Sequence, residues 1–378
     1  MNSKYALPEP GFKSELVSLL FEIERLRANI GTGTTPTDIY IELHQLFDTV
    51  MSVVSARIEG NHTTVYEAIE NSSATNTQPP SDPLREILNI AGTAHFVDSI
   101  DLDTPLTHSF IRELHARTVA DLEREGDPNP GNYRNQDVAI SGSAHTPPSW
   151  VTVHAEMTGL LDFANSEVPL NEQMLQIAIA HHRFVWIHPF GNGNGRVSRL
   201  FTYAMLRKAI FAKRGYSALN PTSVFGNDRH KYISALELAD SLTPEGDAAW
   251  ATFFVRGIRN DLDRVLNLQD HEYVISHLVA PAINGLVTDG IINSDTARIL
   301  TVILEKGVVK ASDLTFDSAD SSSKRSRKIT QLRDRFLIRP IHEGARFYTL
   351  SLARGPIARK LIQQLDFLGF LPKMLSDD

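Results

Sequence analysis

The 378-residue chain has no cysteine. That excludes disulfides, thiolate nucleophiles and every cysteine-ligated zinc or iron–sulfur centre. It also lacks an excess of positive charge, with 37 Lys plus Arg against 45 Asp plus Glu and a formal net charge of −8. A protein that coats nucleic acid has to neutralise phosphates, so that class is excluded for the chain as a whole, though a local basic patch is not. No stretch approaches the ~18 consecutive apolar residues of a membrane span. The first 30 residues hold no basic segment followed by an apolar run, so no signal peptide is expected. Internal repeats and long low-complexity tracts are absent. The remaining class is a soluble, cytoplasmic chain, 42% hydrophobic and 22% charged, long enough for two or three domains.

What is present is mostly helical in period. Residues 38–59 carry Ile39, Leu43, Leu46, Phe47, Val50, Met51, Val54 and Ile58 at steps of three and four, which draws one apolar face on a helix. Gly60 and Asn61 stop it. Residues 71–81 read as a polar loop, and residues 83–125 as two or three helices. Between 133 and 153 the period shifts toward two, and Pro147-Pro148 bars a central strand, so a short β-hairpin with an irregular second arm is expected. Helix resumes from about 153 to 268. Beyond 294 the order is helix, short helix, basic helix (322–335), then two candidate strands at 337–341 and 346–350. That order fits a winged helix-turn-helix.

The most specific stretch runs from Ile187 through His188, Pro189, Phe190, Gly191, Asn192, Gly193, Asn194, Gly195, Arg196, Val197 and Ser198 to Arg199. An apolar helix enters it and a second helix leaves it. The glycines free the backbone to turn its amides inward as an anion-binding concavity. The following helix adds unpaired N–H groups and the positive end of its dipole. Arg196 and Arg199, three apart, share its first turn, and arginine suits bidentate phosphate contact. A histidine on the rim is placed to take a proton from a hydroxyl. The chemistry this implies is phosphoryl or nucleotidyl transfer.

The loop resembles the Fic motif, histidine-x-Phe-x-(Asp or Glu)-Gly-Asn-Gly-Arg-x-x-Arg. His188, Phe190, Gly193, Asn194, Gly195, Arg196 and Arg199 match it in register. Proteins of that kind move AMP from ATP onto a Ser, Thr or Tyr hydroxyl of a protein and release pyrophosphate. The resemblance implies His188 as general base, Gly193, Asn194 and Gly195 lining the hole for the α- and β-phosphates, Arg196 neutralising phosphate charge and Arg199 holding the γ-phosphate. It makes Phe190 a buried anchor. Asn192 stands where the family usually has an acid that holds Mg²⁺. An amide oxygen brings no charge, so weaker metal binding is expected. Members that phosphorylate carry Ala and Lys where Gly193 and Gly195 stand, which disfavours phosphotransfer.

Ser55, Glu59 and Gly60 match the family's inhibitory signature, (Ser or Thr)-x-x-x-Glu-(Gly or Asn), in which the glutamate pairs with the second arginine, here Arg199. The 131–150 hairpin is similar to the family's flap, which grips a protein target, or the protein itself, by strand addition. His181 and His182 do not have the spacing of a zinc helix and are expected to pack. Between 318 and 340, Lys324, Arg325, Arg327, Lys328, Arg333, Arg335 and Arg339 face only Asp320 and Asp334. A winged helix would lay the 322–335 segment, with Lys324, Arg325, Arg327 and Lys328, in a DNA major groove; the alternatives are a solvated basic face or a docking surface for a target or a homodimer.

The expected fold class is mainly α: a Fic-type helical core with a β-hairpin flap, plus a C-terminal winged helix-turn-helix (α+β) module. The expected domains are residues 1–80 (helical, with the inhibitory helix), 81–270 (the core), 271–293 (a linker helix) and 294–378. The expected function is an autoinhibited protein adenylyltransferase using ATP and Mg²⁺. The alternatives are removal of AMP at the same site, or a nucleotide-binding regulator without turnover that acts through DNA.

Overall fold

The computed structural model describes residues 3–73, 79–140, 142–210, 223–314 and 321–375. Residues 74–78 of the expected loop, Ser141 of the expected hairpin and 315–320 ahead of the basic helix lie outside them. The described helices, in chain order, are α1 (Glu15–Arg27), α2 (Thr37–Ile58), α3 (Val65–Ser73), α4 (Asp82–Ser99), α5 (His108–Thr118), α6 (Val153–Asn165), α7 (Gln173–Ile187) and α8 (Asn194–Ile210). They continue with α9 (Ser223–Gly226), α10 (Arg229–Ala239), α11 (Pro244–Gln269), α12 (His271–Tyr273), α13 (Ala280–Thr288), α14 (Ser294–Lys306), α15 (Ser322–Asp334) and α16 (Gly355–Phe367). No described helix is long and apolar enough to cross a membrane.

The chain divides into two compact units. One comprises Met1–Ala28, Met51–Thr63 and Pro80–Asp263; the other comprises Asn29–Val50, Thr64–Pro79 and Arg264–Asp378. Every apolar position on the period of α2 is buried. Its residues up to Val50 belong to the second unit and those from Met51 to the first.

The first unit is built on α7 and α8. Both are buried on nearly all faces, including the polar side chains His181, His182, Arg183, Arg196 and Arg199. Such groups persist in a core only when hydrogen-bonded. His181 binds Thr202 Oγ1 at 2.7 Å and Tyr232 Oη at 3.0 Å, between the rings of Phe225 and Trp250. His182 meets Asp240, and Arg183 is paired with Asp247 at 2.6 Å. The two histidines therefore pack, and burial, the largest influence on each, keeps both below the ordinary histidine pKa.

The second unit holds a three-stranded antiparallel sheet, β1 (Val309–Lys310), β2 (Ile338–Pro340) and β3 (Phe347–Leu350), in the order β1-β3-β2. The β2–β3 pair is the hairpin read from the sequence, with Ile338 opposite Leu350. Two-residue β1, opposite Tyr348 and Phe347, was not expected, because two residues carry no period. Glu42, 2% exposed, accepts from Arg339 Nε and from the backbone N–H groups of Leu352 and Ala353, which ties α2 to the chain after β3.

One expected element is corrected. Among the described residues of 131–150 there is no strand. Pro147 and Pro148 have no N–H to give a ladder. The segment is fixed instead by side chains on carbonyl groups, as described next.

Candidate active site

Helix α7 ends at His188, which takes a left-handed conformation (φ 50°, ψ 61°) and gives its N–H to Phe184 O. That turn lifts the imidazole off the helix axis at the mouth of the loop. A helix end leaves orphan carbonyls. Here segment 131–150 supplies their donors. Arg134, 7% exposed, donates from Nε to His188 O at 2.9 Å and from Nη2 to Ile187 O at 3.4 Å, and also reaches Pro148 O and Gln136 O. His145 Nε2 sits 2.9 Å from Trp186 O. Two basic side chains thus cap the negative end of α7. Burial, followed by smaller influences that include the Arg134 charge, pushes the His188 pKa down to about 4, so the ring is neutral at pH 7. Its Nδ1 faces Val185 O at 3.4 Å, which leaves Nε2 as the acceptor when Nδ1 carries the proton.

The loop is locked from within. Asn194 accepts from Phe190 N and donates to Phe190 O, both at 2.9 Å, so its side chain closes the loop and does not line it. Phe190 is fully buried, stacked on His115 at 3.8 Å with the planes 4° apart. His115, whose pKa burial lowers to about 4, sits 3.2 Å from Asn192 O. Asp127 accepts from Asn192 N at 3.1 Å. Gly193 has φ +75°, a region costly for any residue with a Cβ. The first turn of α8 follows, with unpaired amides facing the loop.

Both motif arginines are already paired. Arg199 donates from Nε to Ser55 Oγ at 2.8 Å, and from Nη2 to Ser55 O at 2.9 Å and Glu59 Oε1 at 2.8 Å. Glu59 follows α2 immediately, and a Cβ placed on Gly195 would overlap its Oε1. A carboxylate therefore rests on the N-terminal turn of α8, where an anion is most favoured. Burial acts to raise the Glu59 pKa, but Arg199, by charge and hydrogen bond, with Arg196 and Arg229, outweighs it and the net direction is down. Arg196 donates from Nη1 to Glu86 Oε1 at 2.8 Å and from Nη2 to Glu125 O at 2.9 Å. Its Nε is buried without a partner. For Glu86, burial outweighs Arg196 and the pKa is raised.

Asn192 accepts from Gly193 N at 2.6 Å and donates to Gly126 O at 3.2 Å. Its oxygen is turned onto backbone and it carries no charge. It does not fit the carboxylate-type ligand on which a magnesium site is normally built.

The structure thus gathers Ser55, Glu59, His188, Asn192, Gly193, Asn194, Gly195, Arg196 and Arg199 in one unit, with Gly60 ending α2. Lys324, Arg325, Arg327 and Lys328 lie on α15 of the other unit. Sequence reasoning missed Asn61, Glu86, His115, Asp127, Arg134 and His145. None has a motif around it; the polar pair Gly60-Asn61 at a helix stop was the only local signal.

Residues 105–206 match the family model described as the Fic/DOC family. A protein adenylyltransferase Fic from Aedes aegypti is 30% identical over 191 residues, 50% of this chain and 34% of that protein. Its namesake from Drosophila willistoni is 31% identical over 220 residues, 57% of this chain and 40% of that one. The match thus spans well under half the length of these curated relatives. Among solved structures, a Fic family protein from Desulfovibrio desulfuricans G20 superposes with a TM-score of 0.56 at 20% identity, covering 92% of this chain and 98% of that one. Fic-1 (aa134–508) from C. elegans gives 0.51 at 18%, covering 66% and 71%. Motif, family model and fold thus point the same way: residues 105–206 are similar to the Fic/DOC family, and the fold is similar to that of solved Fic proteins.

Proposed function

We propose that the chain is an autoinhibited protein adenylyltransferase, moving AMP from ATP to a Ser, Thr or Tyr hydroxyl of a protein target or of itself. The observation that supports this most directly is the Glu59 carboxylate, lying against Gly195 and bonded to Arg199 beside a neutral His188. An acidic side chain stands where a phosphate of ATP has to enter.

With Glu59 withdrawn, the α8 N-terminal amides and both arginines face the triphosphate and stabilise its charge in the transition state. The target hydroxyl oxygen attacks the α-phosphorus. The bond to the β-phosphate bridging oxygen breaks and pyrophosphate leaves. The hydroxyl proton passes to His188 Nε2. Segment 131–150, pinned by Arg134 and His145 to the end of α7, presents the target beside that base. Residues 294–375 are read as a winged helix. The exposed Lys324 and Arg327 on α15 suit DNA as a partner, and equally a docking surface for a target or a second copy. A cytoplasmic location goes with this reading.

The test is incorporation of α-labelled ATP by wild type, Glu59→Gly, and Glu59→Gly with His188→Ala. Label is expected in the Glu59→Gly protein and in neither of the others. Absence of label from all three at millimolar Mg²⁺ removes the transferase reading, and salt-sensitive duplex binding would then favour a non-catalytic regulator.

A further inference from the structure

The turn that carries Glu59 is held by a second contact, two residues further on. Asn61 Nδ2 donates at 2.8 Å to Glu86 Oε2 and at 2.8 Å to Pro83 O, both in the α4 region. Its Oδ1 accepts from Thr63 N at 2.9 Å, and its own N–H caps α2 on Ala56 O at 3.1 Å. Every polar group of the side chain is therefore engaged. Glu86, only 3% exposed, receives Arg196 on its other oxygen. One carboxylate thus joins a motif arginine to the end of the helix that bears the inhibitory glutamate.

This matters because Glu59 is held from one direction only, by Arg199 and the first turn of α8. About a third of its side chain is exposed, while Arg199 is 1% exposed, so the carboxylate stays in place only while the turn that carries it does. A helix end frays unless capped. Arg229 donates to Ile58 O, which secures the last helical carbonyl but not the turn beyond it. Beyond Ile58 the turn keeps backbone bonds to Ala56 and Arg57 and a 3.3 Å contact from Arg57 Nη2 to Thr63 O, and Asn61 is the residue that ties it to α4.

We infer that Asn61, bonded to Glu86, is the latch of the brake: a positioning residue that keeps Glu59 on Arg199 without touching the phosphate loop itself. The inference rests on the reading of Glu59 as a brake and adds what keeps the brake applied. It predicts that cutting the Asn61–Glu86 bond releases activity although Glu59 and every phosphate-facing residue remain.

The experiment compares incorporation of α-labelled ATP by wild type, Asn61→Ala, Asn61→Asp, Glu59→Gly and the Asn61→Ala/Glu59→Gly double variant. Hydrogen exchange of the amides at 57–63 is followed in parallel. Asn61→Ala is expected to raise incorporation about tenfold, as loss of a hydrogen bond to a charged group implies, and to stay below Glu59→Gly. Asn61→Asp, which sets a second carboxylate against Glu86, is expected to release at least as much. Both speed exchange at 57–63, and the double variant matches Glu59→Gly alone. If Glu59→Gly is active while both Asn61 variants stay at the wild-type level, the latch is wrong and the brake stands. If Asn61→Ala raises incorporation further in the Glu59→Gly background, Asn61 acts on something other than the brake and the latch is again wrong. If no variant gains activity, the brake fails and the latch with it.

Discussion

The loop from His188 to Arg199 and segment 131–150 meet at the same helix end but are built on opposite principles. The loop is closed on itself: Asn194 clamps Phe190, Phe190 stacks on His115, and Asp127 holds the backbone at Asn192. Segment 131–150 has no strand among its described residues; two of its side chains bind the last carbonyls of α7, and Arg112 and His108 hold its first residues. A loop braced by side chains on its own backbone is preorganised, which suits it to charge stabilisation if the proposed transfer holds. A segment with no strand ladder keeps backbone groups outside any sheet.

The sharpest way to break this contrast is Arg134→Ala. It leaves the carbonyls of Ile187, His188 and Pro148 without their donor. A loss of about 3 kcal/mol in stability is expected from the unsatisfied groups. Measured in the Glu59→Gly background, kcat/KM for a protein target should fall on the order of a hundredfold, with His188 no longer fixed at its carbonyl. Retention of both values would show that the segment is positioned by something else.

Acid should unfold the loop side of the contrast first. His115 and His188 have pKa values lowered to about 4 by burial, and His181 and His182 are lowered as well. An unfolded histidine takes its proton near 6.5, whereas the folded His115 and His188 rings refuse it until about 4. The unfolded state therefore binds more protons in that window, and stability falls as pH drops from about 6.5 toward 4. Denaturant midpoints followed by tryptophan fluorescence at pH 7.5, 6 and 5 check this. Over the same range, kcat/KM of the Glu59→Gly protein should stay level from pH 8 to 6 and fall only on the acid side, as His188 gains its proton.

Two smaller effects sharpen the comparison. His145→Ala removes one hydrogen bond to Trp186 O, worth about 1 kcal/mol, and the ring contact with Trp186. It should raise KM for a protein target about fivefold and leave KM for ATP unchanged; equal changes in both would mean that His145 serves the loop. Asn192→Asp restores a charge at the mouth of the loop and should raise the rate about two- to threefold at limiting Mg²⁺, with little change at saturation. An unchanged rate at all metal concentrations would show that residue 192 acts only through Gly193 and Gly126.

Much of the loop side was legible because its signals are local. The period of α2, the glycine-asparagine run and the paired arginines each fall within a few turns of chain. Segment 131–150 was misjudged as a hairpin because alternation at Val138 and Ile140 says nothing about where partners lie. Its tether, Arg134, is more than fifty residues from the α7 carbonyls it binds. β1 was too short to leave any period.

By itself the sequence determined the helices, the glycine-rich turn between two of them and the placing of His188 and the two arginines around it, since backbone freedom at glycine, helix dipoles and 3.6-residue periodicity are properties of neighbouring residues. Only the tertiary structure decided the protonation state of His188, the partners of Arg196 and Arg199, and the hold of Asn61 on Glu86. Those depend on burial and on charges brought together from distant segments, and no local pattern encodes them.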